Sequence, residues 1–122
     1  MKEKKQIQDD KLKPLIPTLR EKKRFILGKI ESEKKFEFKE ISEKLIEEII
    51  FYLGAIEFSK SGIWLLRDKF DYEKQEFIIK VSVRSKDKLV GILSIINKIS
   101  NSKVKIKTLK VSGTLKGLTK KD

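Results

Sequence analysis

Apolar positions fall into runs whose spacing switches between the periods of strand and helix. Residues 25–31 (Phe-Ile-Leu-Gly-Lys-Ile-Glu) are short and mostly apolar, which predicts a largely buried strand. After a loop at 32–35 the period lengthens, and from about Glu37 Ile41, Leu45, Ile49 and Tyr52 recur every three or four residues. Ile46, Ile50 and Leu53 widen that stripe, while Glu40, Glu43, Glu47 and Glu48 supply a wet face. This is an amphipathic helix, and Gly54 is suited to end it. Residues 63–70 read as a second strand and 71–74 as a turn. The third strand alternates cleanly, with Phe77, Ile79, Val81 and Val83 on one side and Ile78, Lys80, Ser82 and Arg84 on the other. One of its faces is therefore buried and the other solvated and basic. Residues 86–100 put Leu89, Ile92, Leu93, Ile96 and Ile99 at helical spacing, and Asn101 and Ser102 close that helix. The last strand, 103–111, begins with Val104 and Ile106 inward and Lys105 and Lys107 outward. Leu109 and Val111 continue out of phase, which predicts a bulge or a change of neighbour near Thr108.

The order strand, helix, strand, strand, helix, strand, with right-handed crossovers, predicts an α+β ferredoxin-like sandwich, similar to an RNA-recognition motif. Four antiparallel strands form the sheet, the first and third central and the fourth beside the first, and two main helices cover one face. Upstream, residues 1–13 are charged without apolar periodicity and are expected to form a flexible basic arm. Pro14 and Pro17 keep Leu15 and Ile16 extended or turning, and Thr18 with Glu21 has the spacing of a capping box. Residues 14–118 are read as one domain and 119–122 as a basic tail.

Composition narrows the chemistry. There is no cysteine and no histidine, so disulfides, zinc held by thiolate or imidazole, and Ser-His or Cys-His nucleophiles are excluded. No apolar run approaches the roughly 18 residues of a membrane span, and Met1-Lys2-Glu3-Lys4-Lys5 opens on polar sequence. A soluble, cytoplasmic protein is expected. The net charge of +12 is unevenly spread. Residues 1–24 carry nine Lys/Arg against four acids, and 99–122 seven against one, whereas 25–98 carry 14 against 13. Two basic ends around a balanced body suit a polyanion.

The basic residues cluster accordingly. Arg20, Lys22, Lys23 and Arg24 lead into the first strand, and Lys105, Lys107 and Lys110 lie on the last, with Lys116, Lys120 and Lys121 beyond. In the ferredoxin-like order both clusters share one side of the sheet with Lys80 and Arg84, a band that RNA phosphates can follow. Lys105 and Lys107 also suit plain protection of a sheet edge. Base-stacking aromatics are missing from the outward side of the third strand. Phe77 is assigned to the core, Phe25 to core or a subunit interface, and Trp64 to packing at a sheet edge. Asp68, Asp71 and Glu73 are read as solvated hairpin acids rather than a magnesium site, and Glu40, Glu43 and Glu47 as a wet helix face. Ser112 has no base to activate it, and Gly113 is read as a position of positive φ or close approach.

Two stretches, residues 17–26 and 108–116, resemble the eukaryotic and archaeal ribonuclease P protein component 2 family. Pro17-Thr18-Leu19-Arg20-Glu21-Lys22-Lys23-Arg24-Phe25-Ile26 is similar to that family's lead into its first strand. Thr108-Leu109-Lys110-Val111-Ser112-Gly113-Thr114-Leu115-Lys116 is similar to its closing strand and Ser-Gly-Thr signature, and Val83-Arg84 falls where the family ends its third strand on a basic residue. The resemblance covers roughly residues 14–118. It implies the sandwich above, structural roles for Gly113 and Thr114, and RNA contacts from the basic residues. It also implies a non-catalytic subunit that stabilises the catalytic RNA of a ribozyme-type endoribonuclease during 5′ maturation of precursor tRNA. Implied partners are ribonuclease P RNA, the component 3 protein, a second copy of the chain within a heterotetramer, and precursor tRNA indirectly. No cofactor is implied for the protein, with magnesium expected at the RNA active site. Another RNA-binding protein of similar fold, such as a ribosomal protein, is the alternative.

Overall fold

The computed structural model describes residues 22–119. The expected arm at 1–13, the Pro14–Pro17 stretch, the Thr18 cap, Arg20, Lys120 and Lys121 lie outside them.

The first strand, β1 (Lys23–Glu31), places Ile26, Gly28 and Ile30 on a buried face and Phe25, Leu27 and Lys29 on the other. Helix α1 (Phe38–Leu53) buries Ile41, Leu45 and Ile49, the four-residue repeat of one stripe. Gly54, at φ 93°, ends α1 with its N–H donated to the Ile50 carbonyl at 2.8 Å and also precedes the short α2 (Ala55–Ser61). β2 (Trp64–Leu65), a 3-10 turn (Arg67–Lys69) and β3 (Glu76–Ser82) follow. Then come α3 (Val83–Ile95), β4 (Lys98–Ile99), β5 (Ser102–Lys103), β6 (Lys105–Ser112) and α4 (Leu115–Thr119).

The main sheet has the antiparallel order β2-β3-β1-β6, with β1 and β3 central, as a ferredoxin-like chain requires. Its inner face (Ile26, Ile30, Phe77, Ile79, Val81 and Ile106) joins Ile41, Leu45 and Ile49 of α1 and Leu89 and Leu93 of α3 in one core. Gly28 is required by that packing, because a Cβ there would stand 2.5 Å from Cζ of the buried Phe77 ring. Gln75, buried and at φ 55°, ties the β3 turn to the loop before α1. Its Nε2 donates to the Phe36 and Tyr72 carbonyls, and its Oε1 accepts from the Phe36 N–H at 2.8 Å.

Several elements differ from the sequence reading. The second strand is two residues instead of eight: the chain leaves the sheet after Leu66, whose N–H still donates to the Ile78 carbonyl. The departure brings Phe70 against Phe38 (5.9 Å between centroids) and Arg67 over the Phe38 ring at 4.8 Å. Val83 and Arg84 do not end the third strand but open α3, so Val83 is partly exposed instead of joining the inner face. α3 stops at Ile95, and the residues expected to extend it form the β4–β5 hairpin, turned by Ser100 and Asn101 at φ 50° and 66°. Ile96 and Ile99 are buried all the same. α2 and α4 were not anticipated.

The irregularity expected near Thr108 is present. Leu27 pairs with Lys110 and Gly28 with Thr108, so Leu109 is an extra residue in β6. The extra residue reconciles the two phases of the strand. Ile106 and Thr108 face inward before it and Val111 after it, while Lys105, Lys107, Lys110 and Ser112 all keep the opposite side.

Candidate nucleic-acid interface

The sheet face turned away from α1 and α3 is built from four cross-strand rows. Trp64, Lys80, Phe25 and Ser112 make the first, and Ile78, Leu27 and Lys110 the second. Glu76, Lys29 and Lys107 make the third, and Glu31 and Lys105 the fourth. Lys23, opposite Ser82, precedes the first row. Six lysines from three strands thus share one face because strand alternation, corrected by the bulge, sends them there. Lys29 opposes Lys107, an unfavourable like-charge pair, and Lys107 leans to Glu31 at 3.2 Å. A surface of this sign attracts phosphate without discriminating bases.

Part of this face is closed. Ile78 is 4% exposed and Leu118 5% exposed, and both lie outside the main core. α4 packs on β1 and β6, and Leu118 closes part of the face there, while Ile78 on β3 is closed as well. The Ser-Gly-Thr stretch makes this reversal. The Ser112 hydroxyl accepts the Thr114 N–H at 3.2 Å, and the Thr114 hydroxyl accepts the Gly117 N–H at 3.0 Å, the bond of a helix N-cap.

The structure does not give Gly113 the positive φ read from sequence. Among the described glycines only Gly54 and Gly62 have it. A Cβ at Gly113 would meet Arg24 Nη1 at 3.5 Å, an ordinary contact. The sterically demanding glycine of this segment is Gly117, where a Cβ would collide with the Ser112 hydroxyl.

The sequence-predicted basic residues therefore separate. Lys23, Lys80, Lys105, Lys107 and Lys110 come together on the sheet face. Lys22 is exposed just before β1, its carbonyl accepting the Val83 N–H at 2.9 Å. Arg24 has the opposite parity, its Nη1 donating to the Lys23 carbonyl and its guanidinium beside Gly113. Arg84 lies in the first turn of α3 and Lys116 on α4. Lys29 was missed, although its alternation with Phe25 and Leu27 marks it. Trp64 is 65% exposed in the first row instead of buried at an edge.

Of the acids weighed as a magnesium site, Asp71 and Glu73 are engaged. Asp71 Oδ1 accepts the Lys74 N–H at 3.0 Å, and Glu73 pairs with Lys35 at 2.7 Å. The hydrogen bond that Lys35 donates to the Glu73 carboxylate holds the pKa of this exposed ammonium above its ordinary value. No group of three acids that could hold a metal ion occurs among the described residues. No helix among them is long and apolar enough to cross a membrane.

Known proteins match this chain over most of its length. The profile of the Rpp14/Pop5 family covers residues 24–121. Ribonuclease P protein component 2 of Pyrococcus furiosus is 38% identical over 109 residues, 89% of each chain. Its counterpart from Thermococcus gammatolerans is 35% identical over 112 residues, 92% of each chain. That of Archaeoglobus fulgidus is 33% identical over 110 residues, 90% of this chain and 96% of the relative. Similarity that takes in the sheet, both main helices and the Ser-Gly-Thr reversal makes the chain a member of the Rpp14/Pop5 family.

Proposed function

We propose that the protein is a non-catalytic subunit of ribonuclease P that binds its RNA through the lysine face of the sheet. The observation that carries this reading is similarity over most of the chain to proteins named as ribonuclease P components, joined to six lysines on one face of the sheet. The ribosomal-protein alternative is not favoured, because the relatives carry ribonuclease P names.

In this reading the lysines screen repulsion between packed phosphates and favour the folded, active RNA. Bond breaking, with its magnesium, belongs to the RNA, and the protein contributes position and charge. The component 3 protein and a second copy of the chain are the proposed protein partners in a heterotetramer, with precursor tRNA contacted through the assembly. The test is reconstitution. Adding this chain with component 3 to ribonuclease P RNA should lower the magnesium needed for 5′ cleavage of precursor tRNA, and the protein alone should cleave nothing. Cleavage by purified protein without RNA, or no effect on the RNA's activity, would overturn the reading.

A further inference from the structure

We propose that Trp64 and Lys80 form a stacking site for an unpaired RNA base at the edge of the sheet's outer face. This rests on the reading of the protein as an RNA-binding subunit and adds a second mode of contact to it.

Trp64 is the chain's single tryptophan and is 65% exposed. It belongs to a two-residue strand, yet its neighbours Ile63 and Leu65 are buried and fix the backbone on both sides. The indole is therefore presented from an anchored position instead of a loose loop. Directly opposite stands Lys80, followed by the half-buried Phe25 in the same row and by Lys23 at the start of β1. Ile78, farther along β3, is closed, but the indole itself stays exposed on the edge strand.

An aromatic ring beside lysines answers both parts of a nucleotide. The ring takes the π-face of any base and the ammonium takes the phosphate. A duplex offers only phosphates, since its bases are stacked on one another. A purely electrostatic surface gains nothing from an exposed indole. An apolar protein partner would meet the cost of desolvating Lys80 directly opposite the ring. Charge complementarity thus selects single-stranded RNA as the occupant.

The test uses the full chain, with Trp64 as the sole tryptophan reporter. A short oligouridylate should quench its emission on binding. An abasic oligonucleotide of equal charge and an RNA duplex should bind with little quenching. Trp64→Ala should lower oligouridylate affinity about tenfold, with the duplex affinity and the salt slope unchanged. Trp64→Phe should retain most of the affinity, and matching thermal melts establish that both variants fold. Equal quenching by the abasic strand, or unchanged oligouridylate affinity in Trp64→Ala, would overturn the site. So would a Trp64 emission shift produced only by a protein subunit, which would make this face a protein contact. If duplex and ribonuclease P RNA still bind in those cases, the subunit reading survives without the stacking site. If neither binds, the subunit reading falls as well.

Discussion

The two faces of the sheet obey different rules. On the inner face identity is set by volume: Phe77 lies over Gly28 with no room for a methyl group, and Ile26, Ile79 and Val81 are fully buried. On the outer face position matters more than shape, because lysines at 23, 29, 80, 105, 107 and 110 need only stand on the same side. The same strands serve both, so a substitution should disturb stability or RNA affinity according to the face it lies on. The comparison fails if the two effects mix.

The largest effect is expected at the tightest inner contact. Gly28→Val should lower unfolding free energy by about 3 kcal/mol in a denaturant titration, since the Phe77 ring lies between β1 and the helices and cannot retreat. Pairing it with Phe77→Leu should recover part of the loss, and a double variant no better than the single would locate the strain elsewhere.

On the outer face, replacing Lys105, Lys107 and Lys110 together by Gln should leave stability within about 0.5 kcal/mol. Affinity for ribonuclease P RNA should fall about tenfold, and the slope of log affinity against log salt should drop by about two. A shift in the melt with an unchanged salt slope would mean that these lysines guard the sheet edge and do not touch phosphate.

Where β6 hands over to α4 the two rules meet. Thr114→Ala removes the oxygen that accepts the Gly117 N–H, at a cost of about 1 kcal/mol. Hydrogen exchange should show that loss first in α4. The smallest effect is expected one residue earlier, where Gly113→Ala should change stability by less than about 0.5 kcal/mol, its φ being ordinary and its nearest contact 3.5 Å away. A large loss there would restore a backbone role for this glycine.

Elements long enough to show a period were legible in the sequence. β1, α1, β3 and most of α3 each present a repeated apolar face, and the phase slip at Leu109 announced the bulge. The missed elements are short. α2 and α4 have seven and five residues, less than two turns, and Gly117 sits inside the second. The β4–β5 hairpin turns on Ser-Asn, without the Asn-Gly pair that usually marks such a turn. The side of the sheet on which β1, β3 and β6 lysines lie follows from alternation. Trp64 does not, because a two-residue edge strand has no period and only its pairing with Lys80 fixes its side. Arg24 and Arg84, grouped with these lysines from sequence, fall off that face, Arg24 by its parity in β1 and Arg84 by lying in α3.

The bulge also determines where this strand can change length. Removing Leu109 would leave Lys105, Ile106, Lys107, Thr108, Lys110, Val111 and Ser112 in unbroken alternation, each facing as it does now. Removing Ile106 or Lys107 instead would throw part of the strand out of step, bringing lysine inward or isoleucine into water. β6 therefore holds one spare residue, and a one-codon deletion at the bulge keeps both faces in frame.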